Sequence, residues 1–260
     1  MALNFYKYHG TGNDFIVVDD RSSAFYPDPA LISRLCDRRF GIGSDGLLIL
    51  RNHEGFDFEM VYFNPDGSPA TFCGNGSRCI VAFAAHIGIG STKFNFIAAD
   101  SMHKASANHI SNDTYHVKVS MIDPIIYSHN DNYTYLNSGT YHVVKFVDDP
   151  DSLNIMAVAP PIRYDKQFEP AGTNVNYAAF RGDEIYVRTY EKGVEAETLS
   201  CGTGVTATAI AASLLTGLNS FNIRTKGGML RVNFDRDGEK FSNVQLEGPA
   251  VKVFSGTFNL

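Results

Sequence analysis

The sequence predicts an α+β protein of two pseudo-symmetric halves, each wrapping strands around one central apolar helix, and three observations carry that expectation. The tetrapeptide Cys-Gly-x-Gly occurs twice, in "FCGNGSRCIVA" (72–82) and "ETLSCGTGVTA" (197–207), with the cysteines 128 positions apart (201 − 73), about half the chain of 260 residues. Each copy runs into a segment that is apolar on nearly all sides, with Ile80, Val81, Phe83 and Ala84 in one and Val205, Ala207, Ile210, Leu214 and Leu215 in the other, so each helix belongs inside. Residues 47–88 and 176–217 also share their order of parts: β-rich segments, a polar turn ("NPDG" or "EKGVE"), Cys-Gly-x-Gly, the apolar helix and a closing glycine. The halves are expected as residues 1–120 with 251–260, carrying Cys73, and 121–250, carrying Cys201, with their helix starts facing each other.

From the N-terminus, "FYKYHGTGNDFIVVDD" predicts two strands around a glycine-rich turn at Gly10 to Asn13, since aromatic and β-branched residues flank it. "PALISRLCDRRF" predicts a helix over 29–40, with Pro29 at its start and Leu31, Ile32, Leu35 and Cys36 on one face. "GIGSDG" (41–46) matches the dinucleotide fingerprint letter for letter but in the wrong context: that motif needs a strand before it and a helix after, and here a helix precedes and the strand "LLILR" follows. "FEMVYF", "YAAF" and "EIYVRTY" read as strands, and "YHVVKFV" places His142 in another.

Composition excludes several function classes. With 44% hydrophobic and 19% charged residues the chain can bury a large core, and its net charge of −6, with no basic run interleaved with aromatics, argues against nucleic acid as a partner. "MALNFYKYHG" lacks the apolar core of a secretory signal, and the most apolar runs fall short of the roughly 20 residues a membrane span needs, so a cytoplasmic protein without a membrane partner is expected. Four cysteines with no dense framework fit a reducing compartment. Metal is not expected: Cys73 and Cys79 are six apart, about 120° around a helix, and no CxxC or HxxxH accompanies them.

A cysteine at a helix start sits beside unpaired backbone N–H groups and the positive end of the helix dipole, which favour its thiolate. The same N–H groups, with glycines that let a ligand approach, make a seat for a carboxylate or an enolate-like oxyanion. Two such starts on opposite sides of one carboxylate suit stereoinversion, in which one thiolate removes an α-proton and the opposing thiol delivers another to the other face.

Read in order, "HGTGNDF", "GIGSDGL", "NPDGS", "CGNGSRC", "GTNVN", "YEKGVEAETLSCGTGVTA" and the late glycine pair 227–228 resemble the diaminopimelate epimerase family nearly end to end. The resemblance implies conversion of LL-2,6-diaminopimelate to the meso form, in lysine and peptidoglycan biosynthesis, with no pyridoxal phosphate or metal and with a small molecule as partner. It implies Cys73 and Cys201 as the acid–base pair. Gly74 with Asn75, and Gly202 with Thr203, would hold the reacting carboxylate, and Asn13, Asn64 and Asn176 would bind the substrate's amino and carboxylate groups. Glu191 matches a proton-handling glutamate near the second cysteine, and His142 a histidine near the first. A homodimer is the assembly the resemblance suggests.

The chain departs from the family pattern at three places. Lys192 stands where an arginine is usual, which keeps the charge for a distal carboxylate but loses bidentate geometry. Thr140 and Tyr141 replace the Asn-Pro or Ser-Pro before the histidine, and Gly46 replaces a glutamine that some members carry. Three other readings stay open on the sequence: another cofactor-independent amino-acid racemase, although its proline branch usually has histidine where Asn75 stands; a redox protein with a reversible Cys73–Cys201 disulfide; and a silent ligand-binding module.

Overall fold

The structure, a computed structural model, describes residues 2–70, 72–99 and 101–260. The chain divides into two compact units, residues 1–119 with 248–260 and residues 120–247. In the first, the two strands expected at the N-terminus form a hairpin, Ala2–Gly10 antiparallel to Asn13–Asp19, closed at the Gly10–Asn13 pair. Thr11 and Gly12 both take positive φ there, and glycine meets that demand without steric cost. Asn13–Asp19 then runs parallel to Gly46–Arg51, and Gly46–Arg51 antiparallel to Phe58–Phe63.

The Cys73 helix, Gly74–His86, carries the chain from Phe58–Phe63 to Lys93–Ile97, which pairs with that strand in parallel. Parallel neighbours need such a crossover. Met102–Ser111 and Thr114–Ser120 follow as antiparallel neighbours, and the C-terminal strand lies along Ala2–Gly10, with the Lys252 N–H donating to the Asp113 carbonyl at 2.8 Å.

The second unit repeats this grammar. Tyr141–Phe146 pairs in parallel with Asn174–Arg181, which is antiparallel to Glu184–Glu191. The Cys201 helix, Gly202–Thr216, crosses from there to Ser220–Thr225, again parallel to the strand it left. Gly228–Asp237 continues antiparallel.

Both helices are sheathed. The Cys73 helix buries every residue from Gly74 to Ala84, and the Cys201 helix every residue from Gly202 to Ser213, as their all-round apolar character requires. Gly217, at φ 78°, ends the latter through its N–H to the Ser213 carbonyl at 2.8 Å. The helix expected over 29–40 stops at Cys36. The Asp37 carboxylate accepts the N–H groups of Arg39 and Phe40, both at 2.7 Å, and this local competition turns the chain out of the helix. Cys36 lies in a core with Ile32, Leu35 and Leu47. Among the described residues no helix is long and apolar enough to cross a membrane.

Candidate active site

Each cysteine caps its helix in the same way. Cys73 has extended backbone (φ −142°, ψ 117°), and its sulfur accepts the Gly76 N–H at 3.4 Å. Cys201 (φ −119°, ψ 112°) accepts the Gly204 N–H, also at 3.4 Å. In both cases the side chain satisfies one orphan donor of the first turn and sits at the positive end of the dipole.

What stands behind each sulfur differs. At Cys73 the supports end in charge. The Asp45 carboxylate accepts from Asn13 Nδ2 at 2.8 Å, and because a carboxylate can only accept, the Asn13 Oδ1 is turned toward Asn75 Nδ2 (3.2 Å) and the Cys73 sulfur (3.8 Å). Asn75 is fixed from its other end by Arg78, whose Nη2 donates to Asn75 Oδ1 at 2.8 Å. Asp45 is held by Arg38 (2.6 Å), and Arg38 also grips Asp14 (2.7 Å), which pairs with Lys7 (2.6 Å). Burial opposes ionisation of Asp14, but Arg38 and Lys7 outweigh it and hold that carboxyl well below the usual range.

Arg78 is fully buried. Its other contacts are the Gly74 carbonyl (3.1 Å) and the Thr11 hydroxyl (3.3 Å), its Nε has no hydrogen-bond partner, and no carboxylate among the described residues pairs with it. Burial pushes the guanidinium down to about 10, which leaves it charged at neutral pH.

At Cys201 the supports are neutral. The Val143 carbonyl accepts from Asn176 Nδ2 at 3.0 Å, which fixes that amide, and the same nitrogen faces His142 Nδ1 at 3.0 Å while Asn176 Oδ1 accepts the Thr189 hydroxyl at 2.9 Å. Burial drives the His142 ring down to about 3, against the hydrogen bond from Asn176, so the imidazole is neutral. A donor facing Nδ1 places its proton on Nε2. That Nε2 lies 2.9 Å from both the Thr203 and Thr140 hydroxyls, which are 3.2 Å apart, and Thr203 Oγ1 is 3.4 Å from the Cys201 sulfur.

The remaining expected residues lie in turns or at strand ends. Asn64 opens the turn after Phe58–Phe63, with its N–H on the Ser68 carbonyl (2.9 Å) and its Nδ2 on the Ser68 hydroxyl (3.1 Å). Glu191 ends the strand Glu184–Glu191 and accepts the Thr198 hydroxyl. Lys192 donates its Nζ to the Ala171 carbonyl (2.7 Å) and its N–H to Asn174 Oδ1 (2.8 Å). Gly46 has no room for more: a Cβ there would lie 2.7 Å from the Phe63 carbonyl oxygen and 2.8 Å from the Tyr62 ring.

The sequence reading missed Arg78, Thr189 and Asn174. Arg78 alone left a signal, as one charge inside the apolar run "SRCIVAFAA". Among the described residues no cluster of three or more His, Cys, Asp or Glu side chains could hold a metal ion.

The fold itself recurs in solved structures. A phenazine biosynthesis protein of the PhzF family from Bacillus anthracis matches with a TM-score of 0.79 at 13% identity over 100% of both chains. A hydroxyproline epimerase from Agrobacterium vitis matches with 0.72 at 14% identity over 99% of this chain and 91% of its own. At such identities the likeness defines the fold class alone: an α+β protein with the fold these two chains share. Sequence narrows it further. The family model described as diaminopimelate epimerase matches residues 5–119 and 134–253. Curated diaminopimelate epimerases of Flavobacterium psychrophilum (45% identical over 98% of this chain and 100% of the relative) and Aquifex aeolicus (37% over 98% and 97%) match it nearly end to end. The chain belongs to the diaminopimelate epimerase family.

Proposed function

We propose that this protein epimerises LL-2,6-diaminopimelate to the meso form by two-base proton transfer at the α-carbon, with Cys73 and Cys201 as the proton carriers. The observation that supports this reading is a cysteine capping the central helix of each repeated unit. One sulfur, as thiolate, takes the α-hydrogen as a proton, and the electron pair it leaves spreads onto the carboxylate. The other sulfur, as thiol, gives its proton to the opposite face of the same carbon. Thiolate and thiol have then exchanged places, and no oxidant or reductant is consumed.

In this reading the first-turn groups of Gly74 with Asn75 and of Gly202 with Thr203 take the charge that moves onto the carboxylate, where each well-placed donor contributes roughly 2.7–4 kcal/mol. Asn13 and Asn64 offer amides to the substrate. Asn176 is the third such candidate, with its amide in the structure engaged by Val143, His142 and Thr189. Glu191 and His142 assist proton handling, and Lys192 supplies a positive charge for the distal carboxylate. Each of the two compact units, residues 1–119 with 248–260 and residues 120–247, brings one cysteine. The proposed setting is the cytoplasm, where both thiols stay reduced, and the proposed assembly is a homodimer, which sedimentation of the purified protein tests.

Reduced protein incubated with LL-2,6-diaminopimelate in D2O, without added pyridoxal phosphate or metal, should lose the α-proton signal and form the meso product. Absence of both, with exchange on proline or glutamate instead, would move the reading to another racemase.

A further inference from the structure

The epimerase reading requires one thiolate and one thiol, and the hydrogen-bond chains behind the two sulfurs have opposite polarity. At Cys201 the chain starts from a donor, the Asn176 amide that the Val143 carbonyl fixes. The Asn176 Nδ2 donates to His142 Nδ1, so His142 donates from Nε2 into the Thr140–Thr203 hydroxyl pair. Thr140 already accepts from Asn174 Nδ2 at 3.1 Å, so its own hydrogen has Thr203 Oγ1 as its acceptor. With Thr203 Oγ1 accepting from His142 Nε2 and from Thr140, its own hydroxyl hydrogen is left for the Cys201 sulfur 3.4 Å away. At Cys73 the chain ends the other way, because Asn13 Oδ1 is an acceptor fixed by Asp45 and faces the sulfur.

We propose that the Asn176–His142–Thr203 chain is a positioning relay that donates to Cys201 and makes it the resting thiolate, while the Asn13 carbonyl keeps Cys73 as the resting thiol. His142 then acts on Cys201 through Thr203 as a fixed neutral donor that neither takes up nor gives away a proton, since both ring nitrogens are engaged within its own unit. This inference rests on the two-base reading for its mechanistic meaning.

Charged and titratable groups lie on the two helices and on the elements packed along them. Elements packed on the Cys73 helix bring Lys7, Tyr8, His9, Asp14 and His103, and the helix itself brings Arg78, Cys79 and His86. Those around the Cys201 helix bring His142, Lys145, Tyr177, Tyr186, Tyr190, Glu191, Arg224 and Arg236, with Lys192 next to Glu191. Arg78 pulls against the assignment, since its charge favours a thiolate at Cys73. Its two terminal nitrogens are, however, engaged by Gly74, Asn75 and Thr11, and its path to the sulfur through Asn75 and Asn13 ends in an acceptor oxygen.

The test is the thiolate absorbance near 240 nm followed from pH 5 to 9 in two variants, Cys73→Ala to report Cys201 and Cys201→Ala to report Cys73. The Cys201 midpoint is expected about one pH unit or more below that of Cys73. Adding Thr203→Val to Cys73→Ala should raise the Cys201 midpoint by about one pH unit, the worth of one hydrogen bond to a charged group, and Thr203→Ser should restore it. Equal or reversed midpoints overturn the assignment, and so does an unmoved midpoint in folded Thr203→Val. Should Thr203→Val not fold, the Cys73→Ala and Cys201→Ala variants, with Thr203→Ser beside them, still decide it. The titration uses no substrate, so its result stands apart from whether the protein turns over diaminopimelate.

Discussion

The two helix starts share a backbone and differ in what holds them. At Cys73 the amides of Asn13 and Asn75 are oriented by formal charges, Asp45 on one side and the buried Arg78 on the other. At Cys201 the same task falls to a carbonyl, an amide, a neutral imidazole and three threonine hydroxyls. One motif, repeated, has been given two electrostatic settings. A symmetric motif can position two proton carriers, but a cycle that begins with one of them loaded needs that asymmetry around it.

The largest effect should come from the sulfurs themselves. Cys73→Ala and Cys201→Ala should each lower epimerisation by about 10²–10⁴-fold, the usual worth of a positioned acid or base, while ligand binding persists. Isotope exchange in D2O measures this, and either variant retaining more than a tenth of wild-type turnover would break the two-base comparison.

The glycines one turn into each helix sharpen it next, because they are predicted to differ in sign. A Cβ on Gly204 would lie 2.6 Å from Asn176 Oδ1 and 3.3 Å from Thr189 Oγ1, whereas on Gly76 its nearest neighbours are at 3.4–3.5 Å. Gly204→Ala should therefore cost about 1–3 kcal/mol in urea unfolding as the Asn176 amide is displaced. Gly76→Ala should be neutral or gain about 0.5–1 kcal/mol from the stiffer unfolded chain. Equal losses at both sites would mean that the two starts are packed alike after all.

Acid should separate the halves as well. His142 is held down to about 3 in the folded chain against an ordinary value near 6.5. Its folded value is the lower one, so its contribution to stability is complete above about pH 6.5 and is lost as pH falls from there toward 3. One such proton changes stability by about 1.4 kcal/mol per pH unit at most. His142→Gln should flatten the dependence between pH 6.5 and 5, where carboxylates contribute little. An unchanged slope in urea unfolding would show the ring to be protonated in the folded state.

Much of this was legible in advance and some was not, for identifiable reasons. The repeat, the two sheathed helices and the hairpin at Gly10–Asn13 rest on periodicity and turn chemistry, which are local. The end of the first helix was missed because Asp37 competes for the backbone within three residues, and periodicity does not register a side chain that does so. Arg78 is not predicted as a site residue because a single charge does not change a segment that is apolar on nearly all sides. The hydroxyl chain was out of reach altogether. Thr140 and His142 come within 3.2 Å of Thr203 across more than sixty residues of sequence, and the neutrality of the ring follows from a burial that exists only in the fold.

The smallest prediction concerns what the charged start leaves unresolved. Tyr8 is fully buried beneath the Cys73 helix, with its ring 6.1 Å from that of Phe83 and its hydroxyl without a hydrogen-bond partner. Burial pushes the phenol far above its ordinary range, so it stays neutral at any working pH. A buried hydroxyl with no partner costs folding free energy that a ring alone does not, and the ring is the part that packs. Tyr8→Phe should therefore stabilise the protein by about 1 kcal/mol in urea unfolding, with turnover unchanged, because the hydroxyl makes no bond to Asn13, Asn75 or Arg78. A loss of stability would mean that the hydroxyl has a partner in solution, and a loss of turnover would place that partner in the network behind Cys73.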